Sequence, residues 1–158
     1  MKQVLRHIHK CEKLYSQAGT DDLSKQLLLK LALLETAGWL ENSFDILYLS
    51  CAKNENTRFS IEQYIAKIYS FDWNCLRIGL IFGLGVQSVY ELECAAGEEN
   101  IHKMKSIVGN LKRYRDELAH DYIHTTKHFI SFHNLKKQIY FLYKGMCYIQ
   151  QHIRKIHS

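Results

Sequence analysis

Arg115 and, five residues later, His120 have the side-chain types for proton transfer beside a negatively charged centre. Arg115 interrupts a pattern. Ile101, Met104, Val108, Leu111, Arg115, Leu118 and Tyr122 step by threes and fours, the spacing that keeps side chains on one face of a helix. Every other member of that stripe is apolar. A guanidinium placed there loses hydration unless a partner or an anion satisfies its donors. Three outcomes are open: it extends its charged end to solvent, pairs with a core carboxylate such as Glu35 or Asp45, or grips an anionic ligand through its planar fork. An imidazole titrates near neutral pH, so His120 can accept or donate a proton at such a centre. Asp116 lies four residues before His120 on the same helix face, where it either orients the ring or stands as a solvated carboxylate.

The run Arg115-Asp116-Glu117-Leu118-Ala119-His120-Asp121-Tyr122 resembles the HEPN superfamily, whose hallmark is an arginine, four to six residues, then a histidine. The polar residue after the arginine and the small residue before the histidine also match common HEPN usage. Tyr122 extends the likeness to Arg-x4-His-x-Tyr, the form seen in HEPN toxins paired with nucleotidyltransferase antitoxins. The segment Leu34-Glu35-Thr36-Ala37-Gly38-Trp39-Leu40-Glu41-Asn42-Ser43-Phe44 is similar to the second helix of RiboL-PSP-type HEPN ribonucleases. The likeness spans about residues 20–155.

That resemblance implies an all-α, HEPN-type helical bundle with long antiparallel helices, dimeric, acting as an endoribonuclease that needs neither metal nor cofactor. Arg115 and His120 would be the catalytic pair, lining a cleft where two copies of the chain meet. One group removes the proton from a ribose 2′-OH, which attacks the adjacent phosphate while the guanidinium stabilises the added negative charge. The products would be a 2′,3′-cyclic phosphate and a 5′-hydroxyl. Asp116, Tyr122 and Glu35 would orient or support the pair. Tyr122 lies on the apolar stripe, so core packing competes with contact to RNA or nucleotidylation by a partner antitoxin. Lys112 and Arg113, within a basic patch that includes Lys103 and Lys105, are candidates to follow an RNA backbone, or else form a solvated face. The implied partners are RNA, a second copy of the chain, and a cognate antitoxin or phage-defence protein. Two rival expectations are a non-catalytic HEPN module, used for dimerisation or RNA binding, and an unrelated helical adaptor.

A separation of five residues is a rotation of roughly 140° on an ideal helix. Arg115 and His120 therefore converge only if the helix ends or distorts near Ala119, or if the pocket forms between protomers. The resemblance implies the second.

The elements that must position these residues are helical. The chain has 158 residues and no proline, 47% of it hydrophobic, which suits one domain over residues 1–158 with long helices and short connections. A polar helix is expected over about residues 1–17. A long one runs from the Thr20-Asp21-Asp22 cap to about Lys53, with Leu33, Ala37, Leu40, Phe44, Leu47 and Cys51 on its buried face. Asn54–Thr57 reads as a loop, and Ser60 with Gln63 as a capping box opening a helix through about Ser70. Asp72 caps another helix, and Gly83 and Gly85 break or kink the chain before Ala95. The final helix, capped by Ser131, carries Phe132, Leu135, Ile139, Leu142, Met146, Ile149, Ile153 and Ile156 on one face. Tyr64, Tyr69, Phe71 and Trp73 are expected in the core.

The formal charge of +5 favours an anionic partner only mildly. Five scattered cysteines without a Cys-x-x-Cys pair suit reduced thiols, and the first residues lack the apolar core of a signal peptide, so a soluble cytoplasmic protein without a membrane span is expected. His120, His124 and His128 step by four, but no cysteine or carboxylate joins them at a recognised spacing, so no metal site is expected.

Overall fold

The computed structural model describes residues 1–67, 71–120 and 130–157, with the side chains of Ala119 and His120 outside that description. Among the described residues every regular element is a helix: α1 (Lys2–Gln17), α2 (Asp22–Ser50), α3 (Glu55–Ile65), α4 (Trp73–Leu84), α5 (Val86–Ala96), α6 (Glu98–His120) and α7 (Phe132–His157). The all-helical class expected from the sequence is the class observed. No helix among these residues is long and apolar enough to cross a membrane.

The boundaries reflect local chemistry. Asp21, Asn54, Asp72 and Ser131 each accept a hydrogen bond from a backbone N–H three residues on, satisfying one of the donors that a helix start leaves unpaired. The expected capping box is displaced. Asn54, not Ser60, opens α3, so residues 55–57 are helical rather than a loop, and Ser60 lies inside the helix with its hydroxyl bonded to the Asn56 carbonyl. Asparagine in extended backbone, followed by Thr57, gives the better cap. Gly85, at φ +87°, separates α4 from α5, a conformation that L side chains rarely adopt.

α2 is the organising helix. It packs against α1, α3, α4, α6 and α7, and its expected stripe from Leu33 to Cys51 is buried throughout. Met104, Val108, Leu111 and Leu118 of α6 are buried, as are Phe132 to Ile153 on the α7 stripe, so both periodicities read from the sequence point into one continuous core. Early α6 meets late α7, with Met104 against Gly145 and Lys103 over Phe141, so the two run antiparallel. At the other end Tyr15 meets Phe132 edge-on, and Lys136 reaches Glu12 at 2.7 Å, tying α1 to α7. Phe71 and Trp73 are buried as expected and Tyr64 is half-buried, stacked on Phe82; Tyr69 lies outside the described residues.

One close approach fixes the α2–α4 spacing. Gly79 lies so near the buried Tyr48 ring that any Cβ there would overlap it, whereas Gly145 faces the flexible end of Met104. Gly79→Ala should therefore lower unfolding free energy by about 1–3 kcal/mol through overpacking, while Gly145→Ala costs less because the thioether can move. Denaturant unfolding of both variants checks this; equal effects would contradict it.

Candidate functional site

The stripe that carries Arg115 faces the core, so its guanidinium emerges between α6 and α2 with only 24% of the side chain exposed. Two carboxylates meet it. Nη1 donates to Glu41 Oε1 on α2 at 2.5 Å, and Nε donates to Asp116 Oδ1 at 3.0 Å with Nη2 at 2.9 Å from the same oxygen. The guanidinium carbon stands 4.7 Å from the centre of the buried Phe71 ring, a cation–π contact that forms the floor of the site. Phe71 immediately precedes Asp72, which caps α4 and also lies 3.7 Å from Lys112 Nζ, one turn back on α6 from Arg115. Burial alone would raise the Asp72 carboxyl. The N–H and thiol of Cys75, then Lys112, more than offset it and hold the group below the ordinary aspartate range.

The pairing differs in detail from either carboxylate named for it from the sequence. Glu35 accepts from His7 Nδ1 at 2.8 Å, joining α1 to α2, and takes no part in the Arg115 cluster. Asp45 is half-buried, with burial pushing its carboxyl up, and forms no ion pair among the described residues. Glu41 takes that place instead. It borders Leu40 on the buried face of α2, so the signal was present in the pattern, but rotation and height of α2 against α6 decide which acid is within reach. Phe71 as a ring beneath the cation could not be read from spacing at all.

Asp116, expected to orient the imidazole, has Oδ1 committed to Arg115. The described part of α6 runs to His120, one residue past Ala119, and positions 121–129 lie outside the described residues. The His120 side chain and all of Tyr122 lie outside the described residues, as do His124 and His128. The structure therefore brings together Arg115, Asp116 and Lys112, and places Glu35 elsewhere. Arg113 is on an exposed face, with Nη1 3.5 Å from Glu117 and the guanidinium over the Tyr114 ring.

Among the described residues around Arg115 and Lys112, the three carboxylates of Glu41, Asp116 and Asp72 outnumber the two cations. In one copy of the chain this cluster is charge-compensated, and a phosphate oxygen reaching Nη1 must compete with Glu41. Among the described residues no group of three or more histidine, cysteine, aspartate or glutamate side chains is arranged to hold a metal ion. Cys51 is buried and its thiol is pushed up to about 12 by desolvation, which removes it as a nucleophile. No family model, curated protein or solved structure matches the chain.

Because Arg115 is three-quarters shielded while Glu41 is nearly half exposed, solvent weakens their attraction without cancelling it. A double-mutant cycle of Arg115→Ala and Glu41→Ala should give a coupling of about 0.5–1 kcal/mol in unfolding free energy. Coupling indistinguishable from zero would mean that the pair does not link α2 to α6.

Proposed function

We propose that the chain is an endoribonuclease that cleaves RNA without a metal, through Arg115 and His120 in a site shared by two copies of the chain. The observation that carries this reading is Arg115 itself, a guanidinium on an otherwise apolar helix stripe. It is met by two carboxylates and an aromatic floor, five residues before a histidine in the pattern that resembles HEPN ribonucleases. In this reading Asp116 and Glu41 position the fork. The phosphate takes a guanidinium edge as the substrate docks, and an imidazole moves the 2′-OH proton. Composite assembly is supported by the resemblance, which implies a cleft where two copies of the chain meet. A rotation of about 140° separates the two positions on an ideal helix, and in this reading a second chain closes the pocket between them. The setting would be a toxin–antitoxin or phage-defence system, with a cognate antitoxin or defence protein as partner.

A second reading is favoured by one observation. Glu41 and Asp116 already lie against all three guanidinium nitrogens, which suits a structural cation in a non-catalytic dimerisation or RNA-binding module.

Incubation with total RNA in a chelator separates the two. The wild-type chain should cut, and Arg115→Lys and His120→Ala should each lose at least about 100-fold in rate while keeping the wild-type circular dichroism. Lysine retains the charge but not the bidentate fork. Cleavage at the wild-type rate by both variants would remove the catalytic assignment; binding without cleavage by the wild type would leave the module. The dimer is tested independently, since light scattering at micromolar concentration should give twice the chain mass, and a monomer would contradict a shared site.

A further inference from the structure

A recess of about 630 Å³ lies between α6 and α7, on a face of α6 that Arg115 does not share. Lys103 enters it from α6, and Lys137, Gln138, Tyr140, Phe141 and Lys144 from α7, with no aspartate or glutamate on its walls among the described residues. Lys103, Ile107 and Tyr114 of its α6 side sit roughly 80–120° around the helix from Arg115, so this is a separate surface.

The lysines here differ from six basic side chains that are ion-paired among the described residues. Arg58, Arg77, Lys112, Arg113, Arg115 and Lys136 each lie within ion-pair distance of a carboxylate. Lys103 and Lys144 instead have their ammonium groups 4.5 Å and 4.6 Å from the ring centres of Phe141 and Tyr140. A ring face holds an ammonium in place without cancelling its charge. Lys137 is exposed and forms no hydrogen bond or ion pair among the described residues. Three positive charges are thus gathered and left uncompensated, which raises the local potential for an anion. Gln138 adds a side-chain oxygen that is shielded from solvent and met by no donor among the described residues, an arrangement that costs free energy until a donor arrives. Tyr140 is half exposed at the rim and offers a ring edge for stacking.

We infer that this recess binds single-stranded RNA, with backbone phosphates on Lys103, Lys137 and Lys144 and a base or ribose donor turned toward Gln138. Uncompensated cations interleaved with aromatic rings are the combination that follows a single strand without reading its sequence. From Lys103 to Tyr114 the recess extends about 16 Å along α6 and ends one residue before Arg115. A strand lying in it is led toward the end of the helix that carries Arg115 and His120. This deepens the ribonuclease reading and rests on RNA being the substrate.

The test uses the full chain carrying His120→Ala, so that RNA survives, and fluorescence anisotropy with a labelled 16-nucleotide oligouridine. Adding Lys103→Ala, Lys137→Ala and Lys144→Ala together should weaken binding at least about tenfold and reduce the slope of log affinity against log salt by about 2. Lys137→Ala alone, at an exposed position without packing, should weaken it about threefold, which keeps the test valid if the triple variant misfolds. Unchanged affinity and slope in both would overturn the inference. So would displacement of the RNA by polyglutamate as effectively as by unlabelled RNA at equal charge, which would mark the recess as a site for acidic polypeptide. If the oligouridine binds through the lysines but wild type cuts no RNA, the recess stands and the nuclease reading falls. If the three lysine substitutions placed in the wild-type chain, with His120 intact, leave KM and kcat for RNA cleavage unchanged, the reverse holds.

Discussion

A guanidinium drawn three-quarters out of water must be met by negative charge, and the end of α6 is built around that requirement at Arg115. Glu41 answers it from α2, Asp116 from the next residue of α6, and the Phe71 ring from the segment before α4. Because Phe71 adjoins the Asp72 cap, and Asp72 also faces Lys112, the same few contacts set how α2, α4 and α6 meet. An aliphatic residue at position 115 would pack against the same seam but would leave Glu41 and Asp116 without their shared cation. Conformational rigidity at the cation is the physical consequence, and it is what both a catalytic and a structural role would use.

The two sides of α6 treat charge in opposite ways. On the α2 side, cations are compensated or over-compensated by carboxylates. On the α7 side, Lys103 and Lys144 rest on aromatic rings and keep their charge. Within a chain of net charge +5, the α7 side of α6 is one place where ammonium groups are held without a carboxylate partner. Negative substrate would be collected at the groove and positioned, rather than attracted, at Arg115. Lys112 and Arg113, named from the sequence for an RNA backbone, each face a carboxylate, Asp72 and Glu117.

Helix identity and the core-facing stripes were legible in the sequence because periodicity and capping are local. Asp21, Asp72 and Ser131 act as caps where expected, the Leu33–Cys51 stripe is buried throughout, and the last stripe is buried from Phe132 to Ile153 with Ile156 half-buried. Arg115 was legible as an anomaly for the same reason. Its partner was not, because Glu35, Glu41 and Asp45 differ in which faces α6 only through the tertiary register of two helices. The start of α3 was misplaced because two polar motifs, Asn54 with Thr57 and Ser60 with Gln63, compete, and backbone entry angle decides between them. The α6–α7 recess was invisible in sequence, since Lys103, Lys137 and Lys144 become neighbours only when the two helices pair antiparallel. Tyr122, the remaining motif residue, lies outside the described residues.

The most direct measurement of the central claim is the chemistry of the ends left on a defined RNA after reaction in excess chelator. Attack by the ribose 2′-OH beside Arg115 and His120 requires a 2′,3′-cyclic phosphate on one fragment and a 5′-hydroxyl on the other, open to direct 5′-labelling by polynucleotide kinase. Fragments ending in 3′-hydroxyl and 5′-phosphate, or an RNA left whole, would contradict the account.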